Sequence, residues 1–460
     1  DSGIGAVTPS DLFSGGNVIL RGLMERDYEL VLLNGEMIHG NAEGSPFLND
    51  DFTKGKINKT LIQLIKANVR EPDQLTGDLF ALAACNEIGH KRLIHMMTDF
   101  EIEDLVSISK FILHHSLKAT IEKINQLPQK TTVGTMTIDG YNSPIFIKIK
   151  LTTTKNRITC DFTGTSPVDS KGINVPLVYT KAYACYALKC AIAPNIPNNA
   201  ASLSPFQIYA PIDSIVNAVH PAPVALRHVI GHFIPDTIFN ALNKILRNKV
   251  PAEGAGTLCN FQISIRPKDL NKSDKKNRSE VLTFNSGGSG ARPTSDGLNA
   301  TAFPSGVMTM PIEATEHTGP IVIWRKELRP DSGGIGKFRG GLGQFMEVGV
   351  RENHEFEFQA MFDRVNHPAR GLDGGQDGAP TVIVRDDGVK MKGKGKQFVP
   401  HGRKVLLAFP GGGGFGPASK RNKAKIKNDL ALGYISEKSA KIDYQLSDAE
   451  INETLYKKRK

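Results

Sequence analysis

The sequence predicts an α+β protein: a multi-layer arrangement of mixed helices and mostly antiparallel sheets, with a C-terminal β module and a helical tail. Three observations predict it. From Lys59 to Gln126 apolar residues recur at i, i+3 and i+4, the spacing that lines one side of a helix. From Thr131 onward, short runs rich in Val, Ile and Thr alternate with turn residues, as antiparallel strands require. From Ala418 to the end, Ile426, Leu430 and Leu432 stand between lysines, which makes a charged amphipathic tail.

Leu61, Ile62, Leu64 and Ile65 begin the first apolar stripe, Thr76 is expected to cap a second helix running through Leu93 to Met97, and Leu105 to Ile124 forms a third. Pro128 ends that unit. Thr131 to Ile138, Ile145 to Leu151 and Ile158 to Phe162 are expected strands, separated by Asp139-Gly140 and Lys155-Asn156 into a meander. Val175 to Ala193 reads as a buried helix closed by Pro194. A helix pair is expected from Ala225 to Leu246, with Val229, Phe233, Ile238, Phe239, Leu242 and Ile245 on one face. Strand text returns at Cys259 to Ile265, Val281 to Phe284, Ile321 to Trp324 and Phe345 to Val350, and Glu355 to Phe409 reads as a compact β module. The expected division is a remnant N-terminal segment at 1–56, a helical region at 57–127, a mixed core carrying the chemistry at 128–343, a β-rich module at 344–416 and a charged helical tail at 417–460.

The chain has 460 residues, 40% hydrophobic and 23% charged, enough for two or three cores and inconsistent with disorder. It holds no uninterrupted apolar run of the ~20 residues a membrane helix needs, and its start lacks a basic-then-apolar layout, so a cytoplasmic protein is expected, with no membrane partner. Five cysteines without a Cys-x-x-Cys pair are expected to be reduced core thiols. The formal charge of +10 sits in Lys272 to Arg278, Lys390 to Lys396, Lys420 to Lys427 and Lys457 to Lys460, without aromatic interleaving. That pattern argues against nucleic acid and for solvated loops or attraction of anionic substrates.

Two glycine-arginine blocks carry the strongest chemical signal: Asn285-Ser-Gly-Gly-Ser-Gly-Ala-Arg292 and Glu327-Leu-Arg329-Pro-Asp331 through Arg339 to Gly343. Bare amides at Gly287, Gly288 and Gly290, with guanidinium forks at Arg292, Arg329 and Arg339 and the acid Asp331 beside them, suit a phosphate or carboxylate. Glycine turns with arginines paired to neighbouring acids are the alternative. Gly411-x-Gly413-x-x-Gly416 has dinucleotide spacing, but Pro410 and Pro417 bracket it and too little strand text follows for a βαβ unit. Gly388-x-x-x-x-Gly393-Lys394 resembles a phosphate loop, yet Gly395 stands where a hydroxyl would meet Mg²⁺, so ATP is expected elsewhere. His90 with His95, and His114-His115, lack a carboxylate at ligand spacing. Glu313, Glu316 and His317 read either as an acid-base group or as a surface acidic pair.

The order Glu-Leu-Arg-Pro-Asp-Ser-Gly-Gly-x-Gly-x-x-Arg-Gly-Gly-Leu-Gly at 327–343 resembles the signature of the hydantoinase B family. Its relatives include the C-terminal part of 5-oxoprolinase and one subunit of acetone and acetophenone carboxylases. Blocks at Asn68-Val-Arg70, Asp161 to Pro167, Arg227-His228, Val250 to Gly256 and Pro410 to Gly416 agree in the same order. The resemblance implies ATP-dependent opening of a cyclic amide of hydantoin, N-methylhydantoin or 5-oxoproline type. It also implies ATP bound on a hydantoinase A-like partner, a hetero-oligomer and a divalent metal ion. It marks His228 and Glu253 as catalytic candidates and adds Arg227 to the anion-binding set. Family members begin with a His- and Asp-bearing metal segment, of which Asp1-Ser-Gly3-Ile4 resembles only the tail, leaving Asp1 as the matched ligand. Arg21-Gly22-Leu23 stands where the family tends to show Glu-Gly-Leu. A fragment or incomplete gene product is therefore expected. A subunit of a ketone carboxylase and a non-catalytic remnant that scaffolds its partner remain open.

Overall fold

A computed structural model describes residues 59–67, 72–268 and 278–459. The features expected at Asp1, Arg21 to Leu23, Asn68 to Arg70 and the basic run 272–277 lie outside them. The chain divides into two compact units: Asp1–Ser116 with Val168–Pro176 and Ala218–Arg227, and Leu117–Pro167 with Leu177–Asn217 and His228–Lys460.

Helices α1 (Lys59–Ala67) and α2 (Pro72–Asp99) belong to the first unit, as does the start of α3 (Leu105–Asn125). Thr76 is not a cap. Its hydroxyl donates back to the Pro72 carbonyl at 2.6 Å, one turn into a helix that Pro72 already opens with a φ suited to the first position. Asp104 does cap α3, accepting from the amides of Val106 and Ser107 at 2.8 and 2.9 Å.

The second unit opens with β1 (Lys130–Ile138), β2 (Ile145–Thr154) and β3 (Arg157–Asp161), an antiparallel meander as expected. β4 (Phe206–Tyr209) joins β3 in parallel, an addition the sequence reading missed. Burial alternates along β2, with Ile147, Ile149 and Leu151 fully covered, so one face of this sheet meets the core. Helix α4 (Leu177–Ile192), the turn α5 (Ala200–Leu203), and α6 (His228–Gly231) with α7 (Ile234–Leu242) follow. Gly134 lets α7 lie directly on β1: a Cβ there would sit 2.4 Å from the Thr237 carbonyl oxygen. The Thr132 hydroxyl fixes the contact by donating to Ala241 O at 3.0 Å.

Two further four-stranded sheets share one core. β11 (Lys394–Val399), β9 (His354–Met361), β5 (Asn260–Pro267) and β6 (Ser279–Thr283) form one, in that order. β10 (Val382–Arg385), β12 (Val405–Ala408), β8 (Gln344–Val350) and β7 (Ile321–Leu328) form the other. Ile263, Val281, Phe356 and Phe358 from the first pack in one cluster with Ile323, Met346, Val348 and Leu407 from the second. The boundary expected at 343/344 therefore runs through both sheets, because β5 pairs with β9 and β7 with β8, both beyond it. A short helix, α8 (Ile312–His317), precedes β7 and holds Glu313, Glu316 and His317. Glu316 accepts from the Ile323 amide at 2.7 Å.

The tail folds as α9 (Lys423–Leu432), α10 (Glu437–Ile442) and α11 (Asp448–Arg459) around Ile426, Leu430, Ile435, Leu446 and Ile451. Gly433 ends α9 at φ +74, the left-handed turn that glycine takes most cheaply. All five cysteines are free thiols; Cys160 and Cys259 are buried, whereas Cys85 and Cys190 are exposed.

Candidate active site

The glycine-rich blocks come together, but around one another. A Cβ on Gly288 would fall 1.8 Å from Gly341 O, one on Gly290 would fall 1.8 Å from Ala252 O, and one on Gly287 would fall 2.4 Å from Pro410 O. Only hydrogen atoms fit at these crossings. Of the amides expected to face an anion, Gly288 N donates to Pro410 O; around it Gly341 N donates to Ser289 O, Gly412 N to Gly341 O and Gly334 N to Gly412 O, all within 2.8–3.0 Å. A buried main chain must satisfy its own polar groups, and this lattice does so largely with its own carbonyls, while side chains serve Leu298, Arg339, Leu342 and Gly343.

Arg329 and Arg339 of these blocks are likewise placed on internal partners, which corrects their reading as anion ligands. Arg339, 3% exposed, lies 3.2 Å from Asp429 and donates to Gly340 O and Asn299. Arg329 donates to the carbonyls of Pro380, Ala408 and Phe409. Asp331, at φ +57, accepts from the Ser436 amide at 2.8 Å and ties down the tail. Arg292 is exposed and reaches Asp296 O at 3.1 Å. Arg227 is half-buried in the first unit. The alternative reading, glycine turns with internally paired arginines, describes the Gly287–Gly290 and Arg329–Arg339 region.

Titratable groups converge elsewhere. The α7 carboxylate Asp236 and the loop carboxylate Glu253 are both buried, and Arg364 lies between them, 3.7 Å from Asp236 and 3.1 Å from Glu253. Arg364 also donates to Gly254 O at 2.8 Å and Ala255 O at 3.2 Å, and its guanidinium stacks over Phe233, 4.9 Å from the ring centre. Its φ of +63 is a left-handed conformation that costs a non-glycine residue on the order of 1 kcal/mol or more, so the surrounding contacts hold it there. Arg370 completes the cluster: Nε meets Glu253 at 2.6 Å, Nη2 donates to Thr135 O at 2.6 Å, and 43% of the side chain remains exposed.

With Arg364 and Arg370 on it, Glu253 is an ion-paired carboxylate. Asp236 differs. Burial and the neighbouring Glu253 charge push its pKa from 3.8 up to about 7 against the pull of Arg364. Its Oδ2 accepts from the Gly254 amide at 3.0 Å, while buried Oδ1 has no partner, and Asp236 lines a small cavity with Asn240, Glu253, Arg370 and Gly371. That cavity, ≈ 20 Å³, has room for one water.

The same loop anchors itself twice more. Asp139 accepts from the amides of Val365 and Asn366 and from the His367 ring at 3.0 Å. Asp363, raised to about 6 chiefly by burial, meets Lys394 at 2.8 Å.

His228 has a neighbourhood of its own. Half-buried at the start of α6, it places Nε2 3.2 Å from the Asn260 amide nitrogen, and its ring centre lies 5.8 Å from that of His232. His232 is buried, and desolvation together with His228 holds its pKa down at about 3, so it stays neutral. Among the described residues no three His, Cys, Asp or Glu side chains gather as metal ligands. The Asp236 and Glu253 carboxylates are already matched by two arginines, which does not suit a divalent cation. Asp1 lies outside the described residues.

Sequence reading missed Arg364 and Arg370. Their signal was Asp363-Arg364 followed by Pro368-Ala-Arg370-Gly371, a charged loop inside what reads as a plain β module.

The family described as Hydantoinase B/oxoprolinase matches residues 51–418. The chain belongs to that family. It is 28% identical over 428 residues to the protein named as the B-type component of a D-/L-hydantoinase of Pseudomonas sp. (strain NS671), an alignment covering 88% of this chain and 71% of that one. The ATP-dependent caprolactamase of Pseudomonas jessenii superposes with a TM-score of 0.72 at 20% identity, over 88% of this family member and 73% of the caprolactamase chain. An acetone carboxylase chain superposes with a TM-score of 0.70 at 16% identity, over 87% of this chain and 62% of its own length. The two structural likenesses show a shared α+β fold. Among the described residues no helix is long and apolar enough to cross a membrane.

Proposed function

We propose that this hydantoinase B/oxoprolinase family member is one subunit of an ATP-dependent cyclic-amide hydrolase acting on a hydantoin, N-methylhydantoin or 5-oxoproline type of ring. The observation that carries the reading is the match along 428 residues to a protein named as a hydantoinase subunit. A lactamase with the same fold supports it. A lactam or ureide carbonyl is a poor electrophile because its nitrogen donates into it. In this reading a hydantoinase A-like partner binds ATP and phosphorylates the carbonyl oxygen, and water then opens the ring on this subunit.

His228 is assigned the proton transfer. Its ring is held with Nε2 3.2 Å from the Asn260 amide nitrogen, a contact that must open for Nε2 to take a proton. Glu253, both of whose oxygens accept from arginine, is assigned to holding Arg370 rather than to taking a proton. The half-exposed Arg370 and the exposed Arg292 are the cations left to draw an anionic reactant. A divalent metal belongs to the reading only through the family resemblance, and no step here depends on it.

The test is reconstitution with the ATP-binding partner. ATP consumption should depend on a cyclic amide, and His228→Asn should abolish it while leaving the unfolding midpoint within about 0.5 kcal/mol of the parent. Consumption that instead requires a ketone and bicarbonate would turn the assignment to a carboxylase. A reconstituted pair that consumes no ATP with either substrate class would favour a scaffold.

A further inference from the structure

Asn260 brings to His228 a carboxamide of which one limb is used and the other is not. Its Nδ2 lies 3.2 Å from His228 Nε2, while Oδ1, sealed from solvent, has no hydrogen-bond partner. The residue is buried, and a buried acceptor left unmet is costly enough to call for a reason.

The position of that carboxamide is closely specified. Cys259, directly before it, is buried at φ +41, left-handed backbone that a non-glycine residue keeps only where its surroundings impose it. Asn260 then opens β5 opposite Met361 of β9, and the ladder fixes where its side chain leaves the strand. The helix that carries the imidazole is held as firmly: a Cβ on Gly231, the last residue of α6, would sit 2.2 Å from the Tyr179 ring of α4.

Nδ2 has only hydrogens to give, so the observed contact requires an unprotonated Nε2. Once Nε2 takes a proton, two donors confront each other. The group then needed is an acceptor, and Oδ1 of the same side chain is one. The nitrogen and oxygen limbs are nearly equal in size and the Cβ–Cγ torsion of asparagine is broadly two-fold, so a half-turn exchanges them without new space.

We propose that Asn260 is a positioning residue that turns over as His228 gains and loses its proton, donating to the neutral ring and accepting from the protonated one. The proposal rests on the reading of His228 as the group that carries a proton during ring opening. The proton arrives on Nε2, Nδ2 moves off and Oδ1 takes its place; no covalent bond of Asn260 changes. A neutral amide suits such a shuttle, because a carboxylate at 260 would favour the charged ring alone and a hydrocarbon would serve neither state. Around the pair, His232 stays neutral with its pKa held down at about 3, and the Cys259 thiol is pushed up by burial and stays protonated. Tyr183 of α4 lies 5.6 Å from His232 between ring centres, and Arg227, adjacent in the chain, adds a fixed positive charge.

Nitrogen-15 magnetic resonance of the full chain, labelled in histidine, reads the titration of the His228 ring, assigned by its loss in His228→Gln. A turning amide gives the protonated ring the stronger, charge-assisted bond, so Asn260→Leu should lower the titration midpoint by about 0.5–1 pH unit. An amide fixed as a donor favours the neutral ring instead, so a raised midpoint in that variant overturns the proposal, as does an unmoved one. Asn260→Ala is expected to move it in the same direction and replaces the leucine variant should that one fail to fold. Asn260→Asp, nearly isosteric, should raise the midpoint by about one unit or more, and no shift there overturns the contact itself. In the pair reconstituted with the ATP-binding partner, Asn260→Leu should cut kcat at least about tenfold with KM within about twofold, and a kcat equal to the parent's overturns the positioning role. Midpoint shifts of the expected signs in a parent pair that consumes no ATP with a cyclic amide would uphold the turning amide and overturn the hydrolase reading alone.

Discussion

Replacing Arg364 with Met tests whether the buried charge cluster holds the second unit together. The guanidinium serves Glu253 at 3.1 Å, Gly254 O at 2.8 Å, Ala255 O at 3.2 Å and Asp236 at 3.7 Å, with its side chain 3% exposed. Removing one partner of a buried ion pair costs about 3–5 kcal/mol, because the partner's charge stays behind without compensation. Two carbonyls that lose their donor add roughly 1 kcal/mol each or more. Two effects offset this: Arg370 still holds Glu253, and Asp236 can take up a proton. A net loss of about 3–5 kcal/mol is expected, read as a fall in urea midpoint at constant slope. Asp236→Asn removes the charge that Arg364→Met would strand, so the double variant should lose at least about 1 kcal/mol less than the sum of the single losses. An Arg364→Met loss below about 1 kcal/mol, or strict additivity, would refute the reasoning.

Asp236 is raised from 3.8 to about 7, so the native state binds a proton that the unfolded chain does not over that interval, and its contribution to stability declines as pH rises from about 4 to about 7. His232 acts in the opposite sense, its native pKa of about 3 costing stability as pH falls below 6.5, so the readout is a difference: Asp236→Asn should gain on the parent as pH rises from 4 to 8. A difference independent of pH would sink this. Gly412→Ala would place a Cβ 2.0 Å from Ser289 O, a main-chain atom that cannot turn aside, and should cost more than ~4 kcal/mol or prevent folding. Arg421, whose guanidinium holds Asp296 and Asp429 at 2.6 Å each, anchors the tail. Arg421→Met should make the 423–459 helices the first site of limited proteolysis, and a parent-like cleavage pattern would refute that role.

Periodicity made most elements legible, since the strand runs at Thr131, Ile145 and Ile158 and the helices before Pro128 are set by local alternation and spacing. The family signature was legible in the order of its blocks. The site was not, because its parts converge from far apart: Arg364 and Glu253 are separated by 111 residues, and Arg370 and Glu253 by 117. The glycine blocks illustrate the difference. Bare backbone at Gly288 and Gly341 does signal close approach, but local text does not say whether an anion or another stretch of backbone will arrive. The division at 343/344 failed for the same reason: β5 finds its partner in β9, nearly a hundred residues away, and the β7–β8 pair straddles the boundary itself.

Glu253 inherits its position from atoms that no mutation of a side chain can remove. The Gly413 amide donates to its carbonyl at 2.8 Å, and Ala291 donates in turn to Gly413 O at 2.9 Å, so the carboxylate is tethered to a mesh of peptide groups. Deuterium should therefore enter those amides among the slowest in the molecule. Engineering that reshapes the cavity through Asn240 or Leu372 should leave the carboxylate where it is, whereas a single methyl group at a mesh crossing would displace it.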